Sequence, residues 1–206
     1  MRVERVVAYI DGFNLYHGLM DAKLGTSRWL DLRSMCTRLL SAQQHLDLVR
    51  YFTTRIRNNP SQHSRQQTYI DALLARGAVE IDYGHFLSQS ARCRTCGATW
   101  RRNEEKKTDV NIAVRLLEDA FDDLFDIAII VSGDSDLAPP IESVRRRYPS
   151  KTVVVAFPPQ RHSGELRRVA DTAFPIGRGI IRSCRLPDPV MQANGHRLRA
   201  PKGWLP

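Results

Sequence analysis

Three runs in this chain are almost wholly apolar: VVAYI inside Val3 to Ile10, IAIIV from Ile127 to Val131, and VVVAF closing Thr152 to Phe157. A strand with one wet face alternates polar and apolar residues. Continuous apolar strands belong inside a parallel sheet covered by helices on both faces. Leu46 to Phe52 and Val79 to Phe86 read as two further strands.

Helical patterns fill the gaps between these strands. They run over Leu15 to Met20, from Asp31 to Leu40, from Gln62 to Arg76, from Asp109 to Leu124, from Ile141 to Arg147 and from Gly164 to Ala170. Asp31 stands where its carboxylate can cap the helix, with Cys36 as a core filler. Pro60 and Gly77 bracket the third helix as start and stop signals. Strands alternating with helices predict an α/β domain, a three-layer sandwich with right-handed crossovers and helices on both faces of the sheet.

Composition narrows the class further. The 206 residues are 42% hydrophobic and 26% charged, ordinary for a globular chain, and no stretch reaches the roughly 20 apolar residues of a membrane span. The N-terminus runs straight into a strand pattern, so a cytoplasmic protein without a membrane anchor is expected. Thirty-one Lys and Arg against 22 Asp and Glu leave a formal charge of +9, which favours a polyanionic partner such as RNA, single-stranded or structured.

Acidic residues collect where ligands of such sheets bind, outside the carboxyl ends of the strands. Asp11 follows the first strand, Asp134 and Asp136 follow the fourth in SGDSD, and Asp109 opens the helix leading into that fourth strand. A single Asp in such a place is equally a helix cap. Convergence of separate segments on one edge favours a shared purpose. Carboxylates crowded together raise one another's pKa unless a cation neutralises them, and hard oxygen donors suit Mg²⁺ or Mn²⁺. Such ions promote hydrolysis of a phosphodiester. A phosphatase with an aspartyl nucleophile would want a second Asp at the position of Phe13, which argues against that class.

Two segments depart from the α/β rhythm. Residues 87–107 are polar and basic, with Arg92, Arg94, Arg101, Arg102, Lys106 and Lys107 against Glu104 and Glu105, net +4. This insertion reads as a flap that grips substrate, with Arg101, Arg102, Lys106 and Lys107, and Arg55 after the second strand, placed to meet phosphates. Within it Cys93 and Cys96 form half of a zinc knuckle. A structural Zn²⁺ completed by His85 or by a partner chain in a homodimer, a redox pair, and two unligated thiols are all open readings. Residues 178–206 are rich in Pro, Gly and Arg, with six Lys and Arg against Asp188, and are expected to form an extended or disordered basic tail after a domain spanning 1–177.

The motifs YIDGFNLYHGL, EEKKTDVNIAVRLLEDA and IAIIVSGDSDLAPPIESVR resemble the NYN domain of the LabA-like branch, a relative of PIN nucleases. The resemblance spans roughly Val6 to Ile176. It implies a five-stranded parallel sheet of order 3-2-1-4-5 and a divalent-metal ribonuclease. Carried over by position, it implies an acidic site of Asp11, Asp109, Asp134 and Asp136, with Asn14 as polar partner of the first acid and Ser132 orienting it. A regulatory protein that binds RNA on the same fold without cutting it is the alternative.

Overall fold

A computed structural model describes the chain except residues 1, 58, 78, 93, 94, 98 and 107, and except the side chains of 85–92 and 100–106. In chain order the strands are β1 (Glu4–Asp11), β2 (Gln44–Thr54), β3 (Val79–Arg92), β4 (Thr99–Lys106), β5 (Ile127–Val131), β6 (Thr152–Phe157), β7 (Thr172–Pro175), β8 (Val190–Met191) and β9 (Arg197–Leu198). The α-helices are α1 (Gly12–Asp21), α2 (Leu32–Thr37), α3 (Pro60–Arg76), α4 (Thr108–Phe121), α5 (Ala138–Arg147), α6 (Gly164–Val169) and α7 (Arg178–Ser183).

One sheet of order β4-β3-β2-β1-β5-β6-β7 carries the fold. Its five central strands keep the expected 3-2-1-4-5 arrangement, all parallel. The edges differ from expectation. Thr172–Pro175 adds a short parallel strand on β6, and the basic insertion is a hairpin, with β3 running on to Arg92 and β4 returning antiparallel to it. The hairpin forms because the chain continues β3 past the sheet edge and folds back to pair its own backbone groups.

The pleat of β1 divides the interior in two. Val6, Ala8 and Ile10 face a core shared with α1, α2 and α3, while Val7 and Tyr9 face a core shared with α4, α5 and α6. On α4 the row Ile112, Leu116 and Ala120 is buried as its spacing predicts. The adjacent Leu117 and Phe121 are exposed, as is Leu124, which continues the buried row past the end of the helix.

The expectation of an extended or disordered segment beyond residue 177 is overturned. That segment forms α7 and the β8–β9 hairpin, and buries Ile181, Cys184, Leu186, Val190, Leu198 and Trp204 in the core on the α1–α3 face. The Asp31 amide donates to the Cys184 carbonyl at 3.1 Å, and Trp29 Nε1 donates to the Pro187 carbonyl at 2.9 Å. These few apolar side chains, spaced too irregularly to show a period, pack because α2 and α3 leave a face for them to cover.

Candidate active site

The polar groups at the carboxyl end of β1 are placed by helix capping. Asp11, 4% exposed, is the N-cap of α1 and accepts at Oδ1 from the Asn14 amide at 2.9 Å. Its Oδ2 accepts from Ser132 Oγ at 2.9 Å, and that hydroxyl in turn accepts from the Asp134 amide at 3.1 Å. Asn14 Oδ1 accepts from the Gly133 amide at 2.9 Å. Thus the ends of β1 and β5, adjacent in the sheet, are stitched across by side chains as well as by strand pairing. Asp134 caps the next turn, a 3-10 turn at Ser135–Leu137, by accepting from the Asp136 amide at 3.0 Å.

Asp109 arrives from a third direction, in the first turn of α4. A buried network far from the site holds that helix against the sheet. Arg50 of β2 makes a two-pronged ion pair with Asp119 of α4, at 2.8 and 2.9 Å, and Tyr9 Oη donates to the same carboxylate at 2.6 Å. Arg50 also pairs with Glu80 of β3. These residues bear on the site only through the fold, and nothing local in the sequence marks them.

Asp11, Asn14, Asp109 and Asp134 line one cavity of about 380 Å³, with Phe13, His17 and Arg161 completing it. Asp136 is exposed and Ser132 is fully buried behind Asp11, so neither lines the cavity. Burial and the nearby charges of Asp11, Asp134 and Asp136 push the Asp109 carboxyl up to about 6. Arg161, absent from the sequence expectations, reaches the cavity from the loop after β6 and pairs with Asp21 of α1. That loop approaches closely because Gly133 has no side chain: a Cβ there would lie 3.0 Å from Arg161 Cβ and 3.2 Å from its carbonyl carbon.

The donor set is all oxygen on its acidic side, which suits a hard divalent cation. Among the described residues no three Asp, Glu, His or Cys side chains stand close enough together to hold a metal ion directly between them. Such spacing suits an open site in which the ion keeps several waters, as Mg²⁺ does.

The basic residues expected to bind substrate are dispersed. Arg55 stacks its guanidinium on Tyr83, 4.4 Å from the ring centre, and does not line this cavity. Arg101, Arg102 and Lys106 belong to β4, with their side chains outside the described residues, as is Lys107 altogether. For the zinc expectation, Cys96 is exposed and forms no disulfide, and Cys93 lies outside the described residues. Among the described residues no helix is long and apolar enough to cross a membrane.

Residues 5–177 match the NYN domain. The chain belongs to the NYN domain family. A curated relative, the 6-hydroxy-3-succinoylpyridine 3-monooxygenase HspA of Pseudomonas putida, is 27% identical over 224 residues, covering 89% of this chain and 70% of that protein. A crystal structure of a protein of unknown function from Vibrio parahaemolyticus superposes with a TM-score of 0.60 at 24% identity, covering 86% of this chain and 95% of the other. At that identity the likeness speaks for the fold alone. The NYN fold, a PIN-like nuclease fold, accounts for the parallel sheet.

Proposed function

We propose that this NYN domain, of the LabA-like branch by its SGDSDLAPP and YIDGFNLYHGL motifs, is a metal-dependent ribonuclease. One observation carries the reading: carboxylates from β1, from the turn after β5 and from α4 meet in one cavity, where burial first and the neighbouring carboxylates second push Asp109 up to about 6. Such crowding is unfavourable in itself and is relieved by a cation.

Asp11, Asp109 and Asp134 would hold Mg²⁺ or Mn²⁺, with the exposed Asp136 at the rim. A bound ion of this kind activates water and neutralises charge on a phosphodiester. The protein's own groups orient and balance. Ser132 fixes the Asp11 carboxylate through Oδ2, and Asn14 ties α1 to the β5 turn. Arg161 presents a cation at the edge of the acidic cavity, where a phosphate oxygen would sit. The basic hairpin, with Arg101, Arg102, Lys106 and Lys107, would grip the strand further out.

Cleavage of an end-labelled RNA in Mn²⁺, in Mg²⁺ and in EDTA tests this, beside Asp134→Asn. The wild type is expected to cut only with metal. The variant should keep its cap on the Asp136 amide, since Asn retains the acceptor, yet lose cleavage by orders of magnitude. Metal-dependent cleavage at the wild-type rate by the variant would remove Asp134 from the site, and RNA binding without cleavage by the wild type would favour the regulatory alternative. A second reading has one observation behind it. The curated relative is named for an oxidation of a substituted pyridine, and an aromatic cavity adjoins the acidic one.

A further inference from the structure

The acidic cavity has a larger neighbour. Beside it, across a wall formed by Phe13 and His17 of α1, which line both, lies a cavity of about 650 Å³. This volume falls within the range of about 300–1,000 Å³ typical of small-molecule sites. Four more aromatic side chains line it: Tyr16 of α1, Tyr51 of β2, Tyr69 of α3, and Trp204 from the C-terminal segment. Tyr69 meets both Tyr51 and Trp204 edge to face, at 6.3 and 5.7 Å between ring centres, and its hydroxyl is tied to the Leu30 carbonyl at 2.8 Å. The ring faces are thereby held in place before any ligand arrives.

The charges around the cavity have one sign. Arg28, Arg57 and Arg65 line it and no Asp or Glu does. Arg28 is occupied, since it donates to the Gly25 and Gly203 carbonyls and lies over the Trp204 ring at 5.0 Å. Arg57 and Arg65 make no ion pair among the described residues. Trp204 adds a different kind of evidence. It is only 8% exposed, and its buried indole Nε1 has no hydrogen-bond partner among the described residues. A buried donor without an acceptor costs free energy that a bound acceptor returns.

Planar aromatic walls, free cations and an unmet donor together call for a flat heteroaromatic ring bearing a carbonyl or ring acceptor and attached to negative charge. We propose that the cavity receives an unstacked base of the RNA strand, next to the phosphate that the acidic cavity engages. The proposal rests on the ribonuclease reading for the identity of the strand. Because the two cavities adjoin at Phe13 and His17, a base is favoured over a free aromatic acid. A strand lying across Phe13 and His17 would place one nucleotide among the tyrosines while its neighbouring phosphate faced Asp11, Asp109 and Arg161. Two free arginines and a chain charge of +9 match the repeated charge of a polynucleotide. Sequence-tolerant stacking on aromatic rings is a general mode of single-strand recognition.

The test uses the full chain and a fluorescent RNA octamer of mixed sequence, with binding measured in EDTA so that no cleavage is needed. Tyr16, 41% exposed, and the partly exposed Arg65 can be replaced without emptying the core. Stacking of a base on an aromatic ring predicts a loss of affinity of roughly tenfold for Tyr16→Ala. Octamers carrying one abasic residue at successive positions should include one that loses about as much against wild type, and Tyr16→Ala should cost little more on that octamer. Trp204→Phe, which keeps the ring and removes the donor, should weaken the intact octamer several-fold, and Arg65→Gln should flatten the dependence of affinity on salt. Unchanged octamer affinity in Tyr16→Ala and Trp204→Phe, both with wild-type unfolding midpoints, overturns the proposal. So does displacement of Trp204-dependent fluorescence by pyridine-3-carboxylate without competition from the octamer, which would assign the cavity to a small aromatic acid. The two readings fail separately. Binding that depends on Tyr16 in a protein that never cuts RNA with Mn²⁺ sinks the nuclease alone, and cutting that ignores Tyr16 sinks the base site alone.

Discussion

The two neighbouring cavities are held together in opposite ways. The acidic one gathers groups that repel each other, Asp11, Asp109 and Asp134, and they stay together because capping bonds, a serine hydroxyl and the packing of α4 impose it. The aromatic one gathers groups that attract, rings against rings and a guanidinium against an indole. A site assembled against its own electrostatics depends on anchors outside itself. A site assembled by packing carries its stability within its walls.

The strongest way to break this contrast is to cut a remote anchor. Replacing Asp119 by Leu leaves the buried Arg50 with Glu80 alone as its ionic partner, takes the acceptor from Tyr9 Oη, and releases α4 from β1 and β2. Loss of one partner of a buried pair is expected to destabilise the protein by about 3–5 kcal/mol. In denaturant titrations of the surviving folded fraction, stabilisation by Mn²⁺ should shrink with it. Retention of the full Mn²⁺ effect would mean that α4 needs no such anchor.

Gly12→Ala probes the shared wall and is expected to have an intermediate effect. A Cβ at Gly12 would lie 2.6 Å from the Phe52 carbonyl oxygen and 2.8 Å from the Tyr51 ring, so α1 must move away from β2. Overpacking of this kind costs about 1–3 kcal/mol. Because Gly12 follows Asp11 and Tyr51 lines the aromatic cavity, both Mn²⁺ binding and octamer affinity should fall together. If one falls alone, the wall does not couple the two cavities.

The smallest effect is also the most specific to one cavity. The folded Asp109 pKa, about 6, lies above the ordinary carboxyl value of 3.8, so the native state binds the proton more tightly than the unfolded chain. Metal-free stability should therefore decline as pH rises from about 4 to 6, with the penalty fully present above 6. Asp109→Asn should abolish this part of the profile. Mn²⁺ affinity should run the other way, weakening as pH falls through 6. Thermal melts across this range in EDTA test the sign, and a wild-type profile identical to that of the variant would deny that Asp109 is raised.

How far each region could be read in advance follows from the same contrast. Asp11, Asp134 and Asp109 are visible as punctuation, charged residues directly after apolar strands or at a helix start, and the apolar strands themselves disclose the parallel sheet. The aromatic cavity draws on α1, β2, α3 and a return from residue 204, so no local pattern announces it. The Tyr9–Arg50–Asp119 network joins residues 69 and 110 positions apart, beyond any periodicity. Residues 178–206 misled for a compositional reason. Their Pro, Gly and Arg outweigh a few apolar side chains whose burial depends on a surface formed by distant helices.

That late return of the chain sets an order of events during synthesis. A ribosome makes every acid of the first cavity before it makes Trp204, and chains fold as they emerge, N-terminal parts first. A growing chain can therefore close its sheet and gather its carboxylates while the second cavity still lacks a wall and the α1–α3 face lies bare. Until the segment that carries Trp204 docks, the nascent protein holds the acidic pocket without the aromatic enclosure beside it.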